Sequence, residues 1–218
     1  MMTLHGYWRS SAAYRVRIGF GLKGVDVKHV SVNLKEGEQS LDAHLHKNPQ
    51  GLVPVLELED GTLLSQSLAI LDYLDTTFPE PKLMPSDPLL RSKILSAALI
   101  IAADIHPIQN LSVLKYLRRE FQAKDGLVSE WVRHWIERGF ETLEQIAQKR
   151  ETLYLYTNKP TFFEICLIPQ VYNANRFGVD MTAFPALSNI DEECQKHEAF
   201  QLALPERQHD CPAAFKLN

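Results

Sequence analysis

The stretch from Val53 to Leu64 constrains the fold of this chain more than any other. Val53-Pro54-Val55-Leu56-Glu57-Leu58-Glu59 alternates as a half-buried strand does, and Asp60-Gly61 is a strong hairpin turn. Thr62 to Leu64 then supplies the returning strand. Proline has no N–H to give to a ladder, so Pro54 marks a strand start, an edge or a cis turn. A cis bond there would leave the backbone of Val53 free to pair with an extended peptide.

Upstream, Leu4 to Trp8 reads as a first strand. Ser11 to Leu22 reads as a helix with a Val16, Ile18, Leu22 stripe and Gly24 as its stop. Gly19 and Gly21 weaken that helix by up to about 1 kcal/mol each relative to alanine. Val25 to Val32 reads as a second strand, and Lys35 to His46 as a polar, weakly helical stretch. Downstream, Ser67 to Phe78 is a helix with Leu68, Leu71 and Leu74 turned inward. The order β-α-β-α-β-β-α closes with a hairpin instead of a βαβ repeat, which excludes a Rossmann pattern. Four prolines between Pro79 and Pro88 then read as a linker.

Everything after Leu89 carries helical periodicity. Arg91 to Leu117 is a long apolar pattern, followed by Val128 to Ile146, Phe162 to Phe177 and Ala186 to Ala199. Pro205 to Asn218 is polar and reads as an irregular tail. The expected organisation is an α/β domain over residues 1–80, a linker over 81–88 and an all-helical domain over 89–218.

The chain has 218 residues, 45% hydrophobic and 23% charged, with a formal net charge of −4 and no Lys/Arg block. Nucleic acid and anionic membrane are therefore not expected partners. Ile94 to Ile108, the most apolar stretch, is interrupted by Asp104 and His106 and is too short and polar to span a bilayer. No basic region followed by an apolar run and a cleavage site opens the chain. Cys166, Cys194 and Cys211 have neither metal-ligand nor redox spacing, and Cys166 falls in an apolar helical stretch expected in the core. The expectation is a cytoplasmic protein with reduced thiols. The eight histidines show no ligand spacing, so no metal is expected, and His44 and His46 read as solvated.

Three segments can carry chemistry. Trp8-Arg9-Ser10-Ser11-Ala12-Ala13-Tyr14-Arg15 puts two hydroxyls where a strand hands over to a helix N-terminus. Such an end carries about half a positive charge and unpaired N–H groups, so it stabilises an anion, including a thiolate. Either serine could equally be a plain N-cap. Ser65-Gln66-Ser67 opens the later helix in the same way, with Ser67 as cap or as a carboxylate ligand beside Gln66. The third is Val53-Pro54.

Together the Ser-Ser helix start, the Val-Pro strand start, the Asp-Gly hairpin, the Gln-Ser helix start and the proline linker resemble the thioredoxin-like domain of the cytosolic glutathione transferases. Tyr7 to Ile18, Lys23-Gly24-Val25, Asn48 to Pro54, Ser65 to Ile70, Asp104 to Leu114 and Leu167 to Phe177 are similar to the zeta class. The similarity covers nearly the whole chain. It implies glutathione as cofactor, a homodimer, and glutathione-dependent cis–trans isomerisation of maleylacetoacetate in tyrosine and phenylalanine breakdown. Maleylpyruvate isomerisation, general conjugation of electrophilic acids and a non-catalytic dimeric binding module remain open alternatives.

The same resemblance implies that Ser10 or Ser11 activates the thiol. It implies glutathione contacts from Ser11, Gln39, Val53, Pro54, Gln66, Ser67, His106, Asn110 and Ser112, with a place at the dimer interface as the alternative for the last three. Arg9 and Arg176 would clamp substrate carboxylates through their bidentate forks. Two departures from the class stand out. Ala12 occupies the usual cysteine position, which excludes a protein thiol there. Thr161-Phe162-Phe163-Glu164 replaces a Ser/Thr-x-x-Asp motif but still allows a capping box.

Overall fold

The structure is a computed structural model, and it describes residues 1–217. The chain divides into two compact units. The first joins Met1–Lys82 to the C-terminal residues from Lys196 onward, and the second is Leu83–Gln195.

The first unit is built on a four-stranded sheet. Its strands are β1 (Thr3–Gly6), β2 (Lys28–Ser31), β3 (Val55–Glu57) and β4 (Leu63–Ser65), in the order β2-β1-β3-β4. β1 and β2 run parallel, with Leu4 opposite His29, and the other pairs are antiparallel. The hairpin forms as its sequence requires. Gly61 takes φ +85°, and Asp60 accepts from the Thr62 N–H at 2.9 Å. Helices α1 (Ser11–Lys23), α2 (Asp42–Leu45) and α3 (Ser67–Thr77) complete the mixed α/β, thioredoxin-like layer. Leu4, Val16, Phe20, Leu56, Ile70 and Leu74 form its core. α1 ends at Gly24, whose left-handed φ of +62° lets its N–H reach back to the helix carbonyls.

Gly19 and Gly21 do more than soften α1. A Cβ on Gly19 would lie 2.2 Å from Leu71 Cδ2 of α3, and one on Gly21 would lie 3.0 Å from Ala199 Cβ. These glycines let α1 approach its neighbours closely. Lys23 closes the same helix with no exposed side-chain surface, donating to Asp75 Oδ1, Phe78 O and Pro81 O at 2.5–2.7 Å.

The second unit is helical: α4 (Pro88–Leu99), α5 (Leu111–Glu120), α6 (Asp125–Ala147), α7 (Phe162–Phe177) and α8 (Pro185–Gln195). The Arg91 to Leu117 pattern is not one helix. α4 passes into a π-helical stretch, Ile100–Ile105, then a 3-10 turn, Pro107–Gln109, before Asn110 caps α5. Pro107 lacks the N–H that would continue the ladder, and the π turn places Ile105 against Gly139 of α6, where a Cβ would fall 2.2 Å from Ile105 Cδ1. The capping box at α7 is complete. Thr161 Oγ1 accepts from the Phe163 N–H, and Glu164 accepts from the Thr161 N–H at 2.8 Å. Phe162, Phe163 and Cys166 are all buried.

Two expectations need correction. The helical domain expected over residues 89–218 does not run to the end, because the chain from Lys196 onward packs into the first unit. Its short helix α9 (Glu198–Leu202) lies against α1, and Asp210 accepts from the Trp8 N–H at 2.9 Å and the Ser31 hydroxyl at 3.1 Å. These are polar anchors, so the tail's low hydrophobicity concealed its docking. His44 is not solvated. It is buried, with Nε2 2.9 Å from Leu52 O, whereas His46 is exposed.

Candidate active site

Site residues of the first unit gather around two helix starts and one strand start. After β1 the chain turns through Tyr7 and Trp8. The Ser10 N–H donates to Tyr7 O at 3.0 Å, and α1 begins. Ser10 is the N-cap, with extended backbone and its Oγ accepting from the Ala13 N–H at 3.3 Å. The plain cap reading therefore holds for Ser10. Ser11 differs. It is the first helical residue, it is half-buried, and its hydroxyl has no hydrogen-bond partner among the described residues. The N–H groups of the first helical turn have no intrahelical acceptors, so Ser11 presents an O–H at the positive end of α1.

Val53 is half-buried and precedes a cis peptide bond to the buried Pro54. β3 starts only at Val55, and neither the N–H nor the C=O of Val53 has a partner among the described residues. This is a backbone edge open to a peptide-like ligand.

Gln66 takes φ +69°, ψ 115°, a conformation that costs a non-glycine residue about 1–3 kcal/mol and clusters at ligand sites. Its side-chain amide donates to Gln50 Oε1 at 3.0 Å. Gln66, not Ser67, holds the cap position of α3. Ser67 is the first helical residue, buried, and its Oγ accepts from Arg15 Nη1 at 3.3 Å. That correction has a chemical consequence. Arg15 occupies a lone pair, which leaves the Ser67 hydroxyl hydrogen to be donated at the helix start, with a guanidinium behind it. Arg15 and Gln50 carried no local signal, because their partners are 52 and 16 residues away. Gln39 lies on a 3-10 turn, Glu38–Ser40, and its Oε1 is buried with no hydrogen-bond partner among the described residues.

Arg9 holds its guanidinium 5.0 Å from the Trp8 ring centroid, a cation–π contact. Cys211 is the one cysteine of this unit. It packs against Tyr7 and Trp8, and burial pushes its thiol up, so it supplies no thiolate beside the serines.

The remaining expected residues belong to the second unit. His106 is half-buried at the junction of the π and 3-10 turns. Asn110 caps α5, accepting from the Ser112 N–H and hydroxyl at 3.1 Å each, so these two residues are tied to one another. Gln109 is buried and accepts from Asn173 Nδ2 at 2.5 Å. Arg176 is exposed at the end of α7, 3.5 Å from Asn173 Oδ1 and 4.7 Å from the Phe177 ring centroid. Among the described residues no cluster of His, Cys, Asp or Glu could hold a metal ion, and no helix is long and apolar enough to cross a membrane.

Residues 4–82 match the glutathione S-transferase N-terminal domain model. A probable maleylacetoacetate isomerase of Vibrio cholerae is 44% identical over 212 residues, which is 96% of this chain and 98% of that protein. A solved holo structure of a maleylpyruvate isomerase, described as a bacterial zeta-class glutathione S-transferase, superposes with a TM-score of 0.94. It is 36% identical, with 96% of this chain and 100% of that chain covered. The maleylacetoacetate isomerase of Anaeromyxobacter dehalogenans, solved with glutathione in its active site, gives a TM-score of 0.88. It is 40% identical, with 97% of this chain and 98% of that chain covered. The same enzyme has also been solved with dicarboxyethyl glutathione and citrate bound. The chain thus belongs to the glutathione transferase family, within its zeta-class maleylacetoacetate isomerase group.

Proposed function

We propose that this protein is a glutathione-dependent cis–trans isomerase that converts 4-maleylacetoacetate to 4-fumarylacetoacetate, a step of tyrosine and phenylalanine breakdown. The observation that carries the proposal is the pair of unsatisfied groups in the first unit. One is the Ser11 hydroxyl at the start of α1, and the other is the open backbone of Val53. The first suits a thiolate and the second a tripeptide. Gln66 and Ser67, with Gln39, are assigned to the γ-glutamyl end and the rest of glutathione. His106, Asn110 and Ser112 are assigned to further contacts or to the face of a homodimer. A cytoplasmic location goes with this reading.

The chemistry follows from the substrate. Its cis double bond cannot rotate until the π bond is broken. The glutathione thiolate adds to one alkene carbon, and the π pair moves onto the conjugated carbonyl as an enolate. The new single bond rotates. The enolate then collapses, re-forming the double bond as trans and expelling the thiolate. A free thiol of pKa about 8.5 is mostly protonated at neutral pH. Lowering it by two units requires roughly 2.7 kcal/mol of preferential thiolate stabilisation. One hydroxyl donor and a helix N-terminus are of the right size to supply it. Arg9 and Arg176 are assigned to the substrate carboxylates.

The 36%-identical maleylpyruvate isomerase supports a second reading, in which the shorter cis keto-acid is the substrate. Assays of both cis acids, each with and without glutathione, decide between them. Ser11→Ala should raise the pKa of bound glutathione and lower kcat by about 100-fold, as expected for loss of one anion-stabilising donor. Ser10→Ala should instead cost about 1 kcal/mol of stability, as a lost cap does. An unchanged thiolate absorbance in Ser11→Ala would remove Ser11 from the mechanism.

A further inference from the structure

Trp8 lies two residues before Ser10, and both ends of its backbone are held from outside the turn. Its N–H, used by neither sheet nor helix, donates to Asp210 Oδ2 at 2.9 Å. Its C=O accepts from Arg17 Nη2 at 3.0 Å, and the same guanidinium donates through Nε to Ala203 O at 3.0 Å. The Trp8 ring, 2% exposed, meets the Phe215 ring at 5.7 Å and packs with Cys211. Asp210, Ala203, Phe215 and Cys211 all come from the C-terminal segment. A second bond, from the Ser31 hydroxyl to Asp210 Oδ2 at 3.1 Å, ties that carboxylate to β2.

We propose that Asp210 is a positioning residue for thiol activation, acting through the Trp8 peptide to hold the turn that presents Ser11. Its carboxylate bridges the Trp8 N–H and the end of β2, so the Tyr7 to Ser11 turn is fixed relative to the sheet. Charge-assisted bonds to a backbone N–H are stronger than neutral ones. Without it the turn can shift, and the Ser11 O–H loses its aim at the sulfur. A misplacement of 1 Å is enough to cost up to about 100-fold in rate. This inference rests on the assignment of Ser11 as the thiol donor.

The test compares wild type, Ser11→Ala, Asp210→Ala and Asp210→Asn as full-length proteins with glutathione bound. Thiolate absorbance is followed against pH, together with amide exchange over Trp8 to Ala13. Asp210→Ala should speed exchange in that segment, raise the bound-thiol pKa by about one unit and lower kcat about threefold at pH 7 and about tenfold below about pH 5.5, as the thiolate fraction falls. Asp210→Asn keeps one acceptor oxygen and should fall between the two. Faster exchange or a lower melting temperature with an unchanged thiol pKa and kcat overturns the inference, because that is a stability role alone. Unchanged exchange in a folded Asp210→Ala or Asp210→Asn protein overturns it as well. A normal thiol pKa in wild type, or no effect of Ser11→Ala, marks failure of the underlying Ser11 assignment and takes this inference with it.

Discussion

Lys23→Met should be among the most destabilising single changes in the first unit. The wild-type ammonium has no exposed side-chain surface, and its three hydrogens reach three acceptors: Asp75 Oδ1 at 2.5 Å, Phe78 O at 2.7 Å and Pro81 O at 2.6 Å. Methionine fills similar volume without charge. The Asp75 side chain, 10% exposed, then faces an apolar group, and two carbonyls beyond the end of α3 lose a charged donor. Breaking a buried pair by removing one partner costs about 3–5 kcal/mol. For a chain of this size that lowers the melting temperature by about 6–20 °C. The double change Lys23→Met with Asp75→Leu should recover part of the loss, because it removes the buried carboxylate along with its cation. Thermal unfolding followed by circular dichroism measures both. A loss under about 1 kcal/mol in the single variant, the range of exposed ion pairs, would refute the reasoning.

Three further outcomes are expected. Gly19→Ala should destabilise, because the new Cβ would fall 2.2 Å from the buried Leu71. Gly126→Ala, with nothing within 4 Å, should gain up to about 1 kcal/mol, and equal gains in both would contradict the packing argument. Burial lowers the His5 pKa below 6.5 despite its hydrogen bond to Glu57, so the unfolded chain takes up the proton first. Stability should therefore fall as pH drops through 6.5, and His5→Gln should flatten that part of a melting-temperature profile between about pH 8 and 5. Arg9→Ala and Arg176→Ala should each raise the substrate KM by about tenfold or more while leaving glutathione affinity nearly unchanged, and a matching loss of glutathione binding in calorimetry would remove the carboxylate assignment.

What could be read from the sequence was local. The Val53 to Leu64 hairpin, the Gly24 stop and the Thr161 to Glu164 capping box are signals written within a few residues, and the structure contains all three. The Ser10-Ser11 pair was recognisable as a helix start, but only the folded geometry separates the capping Ser10 from Ser11, which has no partner among the described residues. What escaped depends on partners distant in the chain. Ser67 gives up the cap to a strained Gln66 and takes a bond from Arg15. Asp210 reaches Trp8 across 202 residues, and no periodicity marks such a contact. The break in the Arg91 to Leu117 pattern was half visible at Pro107. The π turn before it, which sets Ile105 against Gly139 of α6, carries no local signal, because that neighbour lies on another helix.

The central claim is that glutathione acts as a returning nucleophile. The most direct measurement follows cis-to-trans conversion of maleylacetoacetate with glutathione far below substrate, while free thiol is titrated through the same time course. The account predicts many trans products per glutathione, with the thiol concentration constant at the end. Conversion that stops after one product per glutathione, with the thiol consumed into a conjugate, would contradict it and make the protein a transferase of electrophilic acids.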